Sequence, residues 1–304
     1  MAYRLQHCTD VSGEIRRVVE EQIDRGTSEI DSPDIDGATA LHQVRKRCKK
    51  IRAVLRLARG PLDRDGAYAA ENAWYRDLAR ELSTLRDADV LIETHDDLVE
   101  AIKDPDIYRQ CAAIRERLVE RRERLAEHVA APDERLRTAR RSLLEGRDRV
   151  HDWASRVQGF KALEPGFRRT YRRGRRAMDA AYRSTAPEDF HEWRKRVKYH
   201  WYACRLLRGI WPAVMDARCG ELRALSELLG DEHDLSVYSR TLETEPDVVE
   251  GTARVSDILA AVDQRRTRLR RQAQPLAMRL YTEKPGRISN RFAGYWRAWR
   301  LEDD

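Results

Sequence analysis

Apolar residues recur at the i, i+3, i+4, i+7 spacing of amphipathic helices along almost the whole chain, which predicts an all-α protein. The first helix spans about 12 to 25, with Ile15, Val18, Val19 and Ile23 on one face. The stretches Asp31-Ser32-Pro33-Asp34 and Asp36-Gly37 read as a loop. A second helix runs from about 38 to 58 and stops at Gly60-Pro61. A long helical stretch from Asp65 to about Ile102 follows, with an irregularity near Ser83-Thr84. Asp104-Pro105 opens a helix lasting to about Ala130, and Pro132 opens one reaching about Val157.

Gly159 to Gly166, including Pro165, is the best boundary in the chain, because the plan then restarts. A basic helix is expected from about Phe167 to Arg183, broken at Ala186-Pro187. The next runs from about Glu188 to Arg208 and ends at Trp211-Pro212. Helices of about 213 to 229, 231 to 242 and 248 to 281 follow. A short aromatic-basic tail, Tyr295-Trp296-Arg297-Ala298-Trp299-Arg300, closes the sequence. The plan thus divides into two pseudo-equivalent helical halves, approximately 1–158 and 159–304.

One polar pattern occurs in both halves. His42-x-x-Arg45-Lys46-x-x-Lys49 returns 149 positions later as His191-x-x-Arg194-Lys195-x-x-Lys198, and Arg56-Leu57 returns as Arg205-Leu206. At about 100° per residue these cations share one helix face. The opposite faces carry Val44, Cys48, Ile51 and Leu55 in the first copy, and Phe190, Trp193, Val197 and Cys204 in the second. Each copy therefore predicts a cationic ridge roughly 20 Å long, backed by an apolar stripe that enters a core. Like charges at i,i+4 cost about 0.2–0.5 kcal/mol per pair, and no acid is expected on either ridge to offset that cost. A solvated face usually mixes signs, as Glu116 to Arg124 does. Repetition of an unmixed face points to a polyanion. Each histidine opens its ridge one turn before the Arg-Lys pair, where it can donate to phosphate. A weaker repeat pairs Arg86-Asp87 with His233-Asp234. Its carboxylates are candidates for orienting the ridge side chains from behind, although a helix-capping Asp at a kink explains them equally well.

Composition agrees. The 304 residues include 59 Lys+Arg and 52 Asp+Glu, a net charge of +7. Lysine occurs only at 46, 49, 50, 103, 161, 195, 198 and 284, so five of the eight lysines fall in the two repeated helices of an arginine-dominated chain. Arg presents a planar fork and Lys a compact point charge, a mixture suited to a flexible, multiply charged ligand. The five cysteines form no C-x-x-C and no even disulfide framework. The N-terminus lacks the apolar core of a signal peptide, and no run approaches the roughly 20 apolar residues of a membrane span. A cytoplasmic protein is the expectation.

These motifs resemble the CHAD family, the conserved-histidine α-helical domain. The likeness rests on the first ridge, on Leu85-Arg86-Asp87-Ala88-Asp89-Val90, and on Gly166-Phe167-Arg168-Arg169-Thr170-Tyr171-Arg172-Arg173-Gly174-Arg175. It continues through the second ridge and Leu229-Gly230-Asp231-Glu232-His233-Asp234. The motifs come in family order over roughly 5 to 285. The resemblance implies a single all-α domain of two helical bundles, 1–158 and 159–304, related by pseudo-twofold symmetry, with basic helices lining a shared central surface or pore. It also implies binding of inorganic polyphosphate and association with polyphosphate granules. Family members are often fused to a triphosphate-tunnel domain marked by E-x-E-x-K, a motif this sequence lacks, so a stand-alone, non-enzymatic member is expected. The expected polyphosphate ligands are His42, Arg45, Lys46, Lys49, Arg52, Arg56, His191, Arg194, Lys195, Lys198, Tyr202 and Arg205. Arg86, Asp87, His233 and Asp234 would stand behind them, and Arg172 and Arg175 are additional candidates. Trp201 and Tyr202 replace Arg52 and Ala53 in the second ridge, which predicts fewer phosphates there.

Two other functions compete. Nucleic acid fits the cations, and the aromatic tail offers stacking surfaces, yet no nucleic-acid module is recognisable. A metal-dependent phosphohydrolase is suggested by His95-Asp96, His151-Asp152 and His233-Asp234, but a dipeptide is weak support. His191-Glu192 begins like a helical zinc motif, but Lys195 stands where the second histidine is needed. The sequence carries no P-loop and no Gly-rich dinucleotide loop. Neither cofactor nor bound metal is expected.

Overall fold

The computed structural model describes residues 3–63, 66–100, 104–128 and 131–303, which form thirteen α-helices and no strand. In chain order they are α1 (Val11–Asp31), α2 (Gly37–Leu57), the single turn α3 (Arg59–Leu62), α4 (Ala67–Glu81), α5 (Thr84–Val99), α6 (Pro105–Glu127) and α7 (Pro132–Ala154). The second part holds α8 (Gly159–Ser184), α9 (Pro187–Leu206), α10 (Pro212–Thr244), the short α11 (Pro246–Val249), α12 (Val255–Leu280) and α13 (Pro285–Asp303). Local chemistry sets many of the starts. Asp10 and Asp36 accept from the backbone N–H groups of Gly13 and Thr39 at 2.9 and 3.0 Å, capping α1 and α2. Proline opens α7, α9, α10 and α11, where its missing N–H forfeits no helical bond.

The all-α class and the break before α5 match the sequence pattern, while several boundaries move. Helix α1 continues six residues past Arg25, because a side chain at Gly26 would meet Leu143 at 2.9 Å and its absence lets α7 pack close. Helix α8 starts at Gly159, eight residues before Phe167, and runs through Pro165 and Gly166. A Cβ on Gly166 would lie 2.1 Å from the Leu57 carbonyl oxygen. That glycine is a contact between α8 and the end of α2, not a break. Helix α10 is one 33-residue helix through Gly230, where two helices were expected. The expected 248–281 helix is instead α11 and α12, separated by Gly251 at φ 77°. The aromatic tail is helical and packed, with Phe292, Trp296 and Trp299 buried. The expected limits at Asp65, Ile102 and Ala130 lie outside the described residues.

The packing order repeats: α1 lies on α2 and α2 on α4, as α8 lies on α9 and α9 on α10. The apolar interior does not divide at residue 158. The larger core joins α1, α2, α4 and α7 to α8, α9, α13 and the adjoining parts of α10 and α12. The smaller core joins Leu91 and Leu98 of α5 and Ile114 and Leu118 of α6 to Leu235, Tyr238 and Leu242 of α10 and Ile258 and Val262 of α12. Buried polar bonds mark the same joint. His95 Nδ1 and the Tyr238 hydroxyl are 2.7 Å apart, and the Arg121 guanidinium donates twice to Glu245 at 2.6 and 3.0 Å. Within the second half, Glu232, 1% exposed, accepts from Arg266 and Arg270 and ties α10 to α12.

Gly166→Ala is expected to cost about 1–3 kcal/mol, since the backbone oxygens of Arg56 and Leu57 cannot yield as a side chain would. Gly220→Ala, in α10 with nothing within 4 Å of its Cβ, is expected to stabilise by up to about 1 kcal/mol. Urea unfolding of both variants measures the difference; equal effects would show that Gly166 is not a packing contact.

Candidate anion-binding site

The two apolar stripes are buried as expected, with Val44, Cys48, Ile51 and Leu55 on α2 and Phe190, Trp193, Val197 and Cys204 on α9. Because α2 packs directly on α9, seating both stripes brings the ridges together rather than leaving each in open solvent. Arg45 and Lys49 of α2 meet Arg194 and Lys198 of α9. Burial, then the charges of Arg45 and Arg194, pushes the Lys49 ammonium down to about 8. Burial, then Arg194, Lys49 and Arg45, pushes Lys198 down to about 7. Asp87 and Asp234 oppose these shifts without cancelling them.

Those two carboxylates come from α5 and α10, at matching places. Arg45 Nη2 donates to Asp87 Oδ1 at 3.4 Å, and Arg194 Nη2 lies 3.9 Å from Asp234 Oδ1. The weaker sequence repeat thus lands behind the stronger one. Both contacts are long and leave the guanidinium forks under-used. Arg45 Nε and Arg194 Nε are buried with no hydrogen-bond partner among the described residues, and so is His42 Nδ1. Gly230 lies against Arg194, where a Cβ would stand in ordinary contact 3.8 Å from Nε.

The histidines differ between the halves. Burial, followed by the charges of Arg86, Lys46, Lys49 and Arg45, holds His42 below the usual histidine range. His191 Nδ1 lies 3.0 Å from His233 Nδ1, so one ring donates and the other accepts. Burial, then Lys195 and Arg194, lowers His191; burial, then His191, takes His233 down to about 3. All three are neutral near pH 7 in the ligand-free protein.

The remaining sequence candidates scatter. Lys46 stays beside His42, within its electrostatic reach. Lys195 Nζ lies 2.8 Å from Glu192, which also pairs with Arg196, so the second ridge does carry an acid, contrary to expectation. Arg52 donates to Asn72 at 3.2 Å, and Arg56 stacks on Tyr199 with its guanidinium carbon 3.8 Å from the ring centre. Arg205 stacks on Trp201 at 5.0 Å, on the rim of a separate basic cavity of about 760 Å³. Tyr202 is buried in the main core against Tyr3 and does not reach the ridge surface. Arg172 lines a cleft with Arg59, Arg168 and Arg169, while Arg175 donates to the Glu283 carbonyl at 3.2 Å. Neither reaches the four central cations. Lys50 was missed: it lines the 760 Å³ cavity with Arg25 and Arg205 and is pushed down to about 8 by burial, then by neighbouring cations. The lysine bias of the two helices was its signal.

The supports of the competing readings also move. Trp296 and Trp299 face the core, so they present no stacking platform. His95 is engaged by Tyr238, Asp96 by Arg115 and His151 by Arg16. Only His233-Asp234 lies at the cationic centre.

A search of curated proteins finds no match. The crystal structure of the CHAD domain from the plant Ricinus communis is similar over 98% of this chain and 97% of that one, with a TM-score of 0.53 and 20% identity. At that identity the likeness concerns the fold. The CHAD domain family model matches residues 18–243, well over half of the sequence. With that match, and with the same helical architecture, the chain belongs to the CHAD domain family.

Proposed function

We propose that this protein is a non-enzymatic binder of inorganic polyphosphate, gripped between α2 and α9, and that it associates with polyphosphate granules through that grip. The observation that carries the reading is the convergence of Arg45, Lys49, Arg194 and Lys198 with only two loosely paired carboxylates. Holding four cations together in a half-buried space is unfavourable until an anion neutralises them. Orphaned Nε donors from both halves give such an anion hydrogen bonds that the protein does not satisfy itself. A chain of phosphates supplies repeated charge across the α2–α9 seam. Nucleic acid is the weaker alternative, because Trp296 and Trp299, the two indoles of the tail that would have stacked on bases, are buried. A hydrolytic role has little support: Asp87 and Asp234 sit against arginines, and the histidines are held neutral first by burial and then by neighbouring groups, among them cations that also repel a divalent metal.

If four phosphates are neutralised, log affinity should fall against log salt with a slope of roughly −3, taking about −0.7 per phosphate. Titration with a long-chain polyphosphate at several salt concentrations measures it, and a flat dependence would sink the mechanism. Replacing Arg45, Lys49, Arg194 and Lys198 together by Ala should weaken binding at low salt by a hundredfold or more. The same variant should keep its helicity and gain thermal stability, since mutual repulsion is relieved. Polyphosphate should displace RNA far more readily than the reverse, and no phosphate should be released with Mg²⁺ or Mn²⁺ present.

The pH dependence follows from the two central lysines. Their free-state pKa values of about 8 and about 7 rise toward the ordinary lysine range when an anion binds. Below about pH 6 both are already charged, and the lysines add no further pH dependence. Above it, binding must take up protons, so affinity should fall by up to about tenfold per pH unit for each lysine. Proton uptake measured by calorimetry in buffers of different ionisation enthalpy checks this. Lys49→Arg with Lys198→Arg should flatten the profile.

A further inference from the structure

We infer that α2, α5, α6 and α7 line a second site, which adjoins the polyphosphate surface at His42 and Arg86 but has an apolar lining of its own, for a soluble small organic anion with an apolar body and one phosphate or carboxylate head. The cavity measures about 510 Å³, within the roughly 300–1,000 Å³ of small-molecule sites. Its walls separate by chemistry. Leu41, Leu82, Leu85, Ala126 and Pro132 supply an apolar floor, and His42, Arg86, Arg122 and Arg135 a cationic rim.

The charges on that rim do not balance. Asp89 is the carboxylate in the lining, and Arg122 Nε already donates to it at 3.1 Å. Arg86 is held in a two-bond fork by Glu93 at 2.6 and 2.9 Å. Arg135 has no such relief. It is 9% exposed, lines the cavity from α7, and its side chain makes no hydrogen bond or ion pair among the described residues. Its guanidinium is depressed by burial and then by Arg45. His42 Nδ1, on the same lining, is buried and also without a partner. The Arg135 side chain is largely covered while its unpaired guanidinium opens into the cavity, a fork of donors shaped for a phosphate or carboxylate head.

The second half shows what a self-satisfied arrangement looks like. There His191 meets His233, and Glu232 neutralises both Arg266 and Arg270. No carboxylate plays that part for Arg135. A hydrated polyphosphate gains nothing from a leucine floor, whereas an alkyl or aryl body gains by leaving water to cover it. The combination selects an amphiphilic anion.

The probe is monomeric octyl phosphate, titrated calorimetrically against the whole chain. We expect one saturable site, with inorganic phosphate (head without body) and octyl glucoside (body with a neutral head) at least tenfold weaker. Arg135→Met should weaken octyl phosphate roughly tenfold, the usual scale for a charged hydrogen bond. Ala126→Trp, which fills the floor, should abolish its binding. Both variants should retain helicity and salt-dependent polyphosphate binding, which separates failure here from failure of the polyphosphate reading. Octyl phosphate binding no tighter than inorganic phosphate would overturn the proposal without need of any variant, as would full binding to a folded Ala126→Trp protein. Cosedimentation with phosphatidylglycerol vesicles should be the same for wild type and Ala126→Trp. Loss of cosedimentation in the variant would move the source from a soluble anion to a membrane lipid and overturn the soluble assignment.

Discussion

The mutual repulsion of Arg45, Lys49, Arg194 and Lys198 is the constraint around which the rest of this structure is arranged. Two helices that present like charges to each other do not associate on their own account. They are pressed together by what lies behind them: Val44, Cys48, Ile51 and Leu55 on one side, Phe190, Trp193 and Val197 on the other, all fully buried. Burying a side chain of that size is worth about 1.5–3 kcal/mol. Six or more of them outweigh a repulsion of a few kcal/mol among partly hydrated cations. The site is therefore held open electrostatically and shut mechanically.

That arrangement explains why the halves are not separate bundles with separate interiors. If α5 and α10 are to place Asp87 and Asp234 behind the cations, both must be fixed relative to the α2–α9 seam. The smaller core does this by packing α5 and α6 against α10 and α12 across the halves. His95 with Tyr238 and Arg121 with Glu245 add directional bonds to the same joint. Carboxylates at 3.4 and 3.9 Å are close enough to orient the guanidinium groups and too far to saturate them.

The legible part of the sequence was the part governed by one helix at a time. The period of 3.6 fixes which residues share a face, so the ridges, the stripes and the doubled Arg-Asp and His-Asp elements could be read directly. What lay between helices could not. Gly166 reads as a breaker in isolation and is a backbone contact in the fold, because the neighbouring Leu57 carbonyl comes from a distant segment. Gly230 reads as a helix end and instead sits inside the continuous α10, against Arg194. Arg56 and Arg205 share the azimuth of their ridges, but Tyr199 and Trp201 capture their guanidinium groups away from the centre. Tyr202 fails for the same reason: its face of α9 meets Tyr3, which no periodicity in α9 reveals.

The repeat is also unequal in a way that bears on charge. Arg86 stands where the second half has His233. Its bond to Glu93 keeps it firmly protonated, whereas His233, pressed by burial and by His191, is neutral. Lys46 has no acid one turn away on its helix, whereas Lys195 is held by Glu192. The two differences do not add: Arg86 brings its own counter-charge from Glu93, while Lys46 is left without one among the described residues. The halves therefore repeat their four central cations and differ in how the flanking charges are balanced, so the repeat is symmetric at the α2–α9 seam and asymmetric beside it.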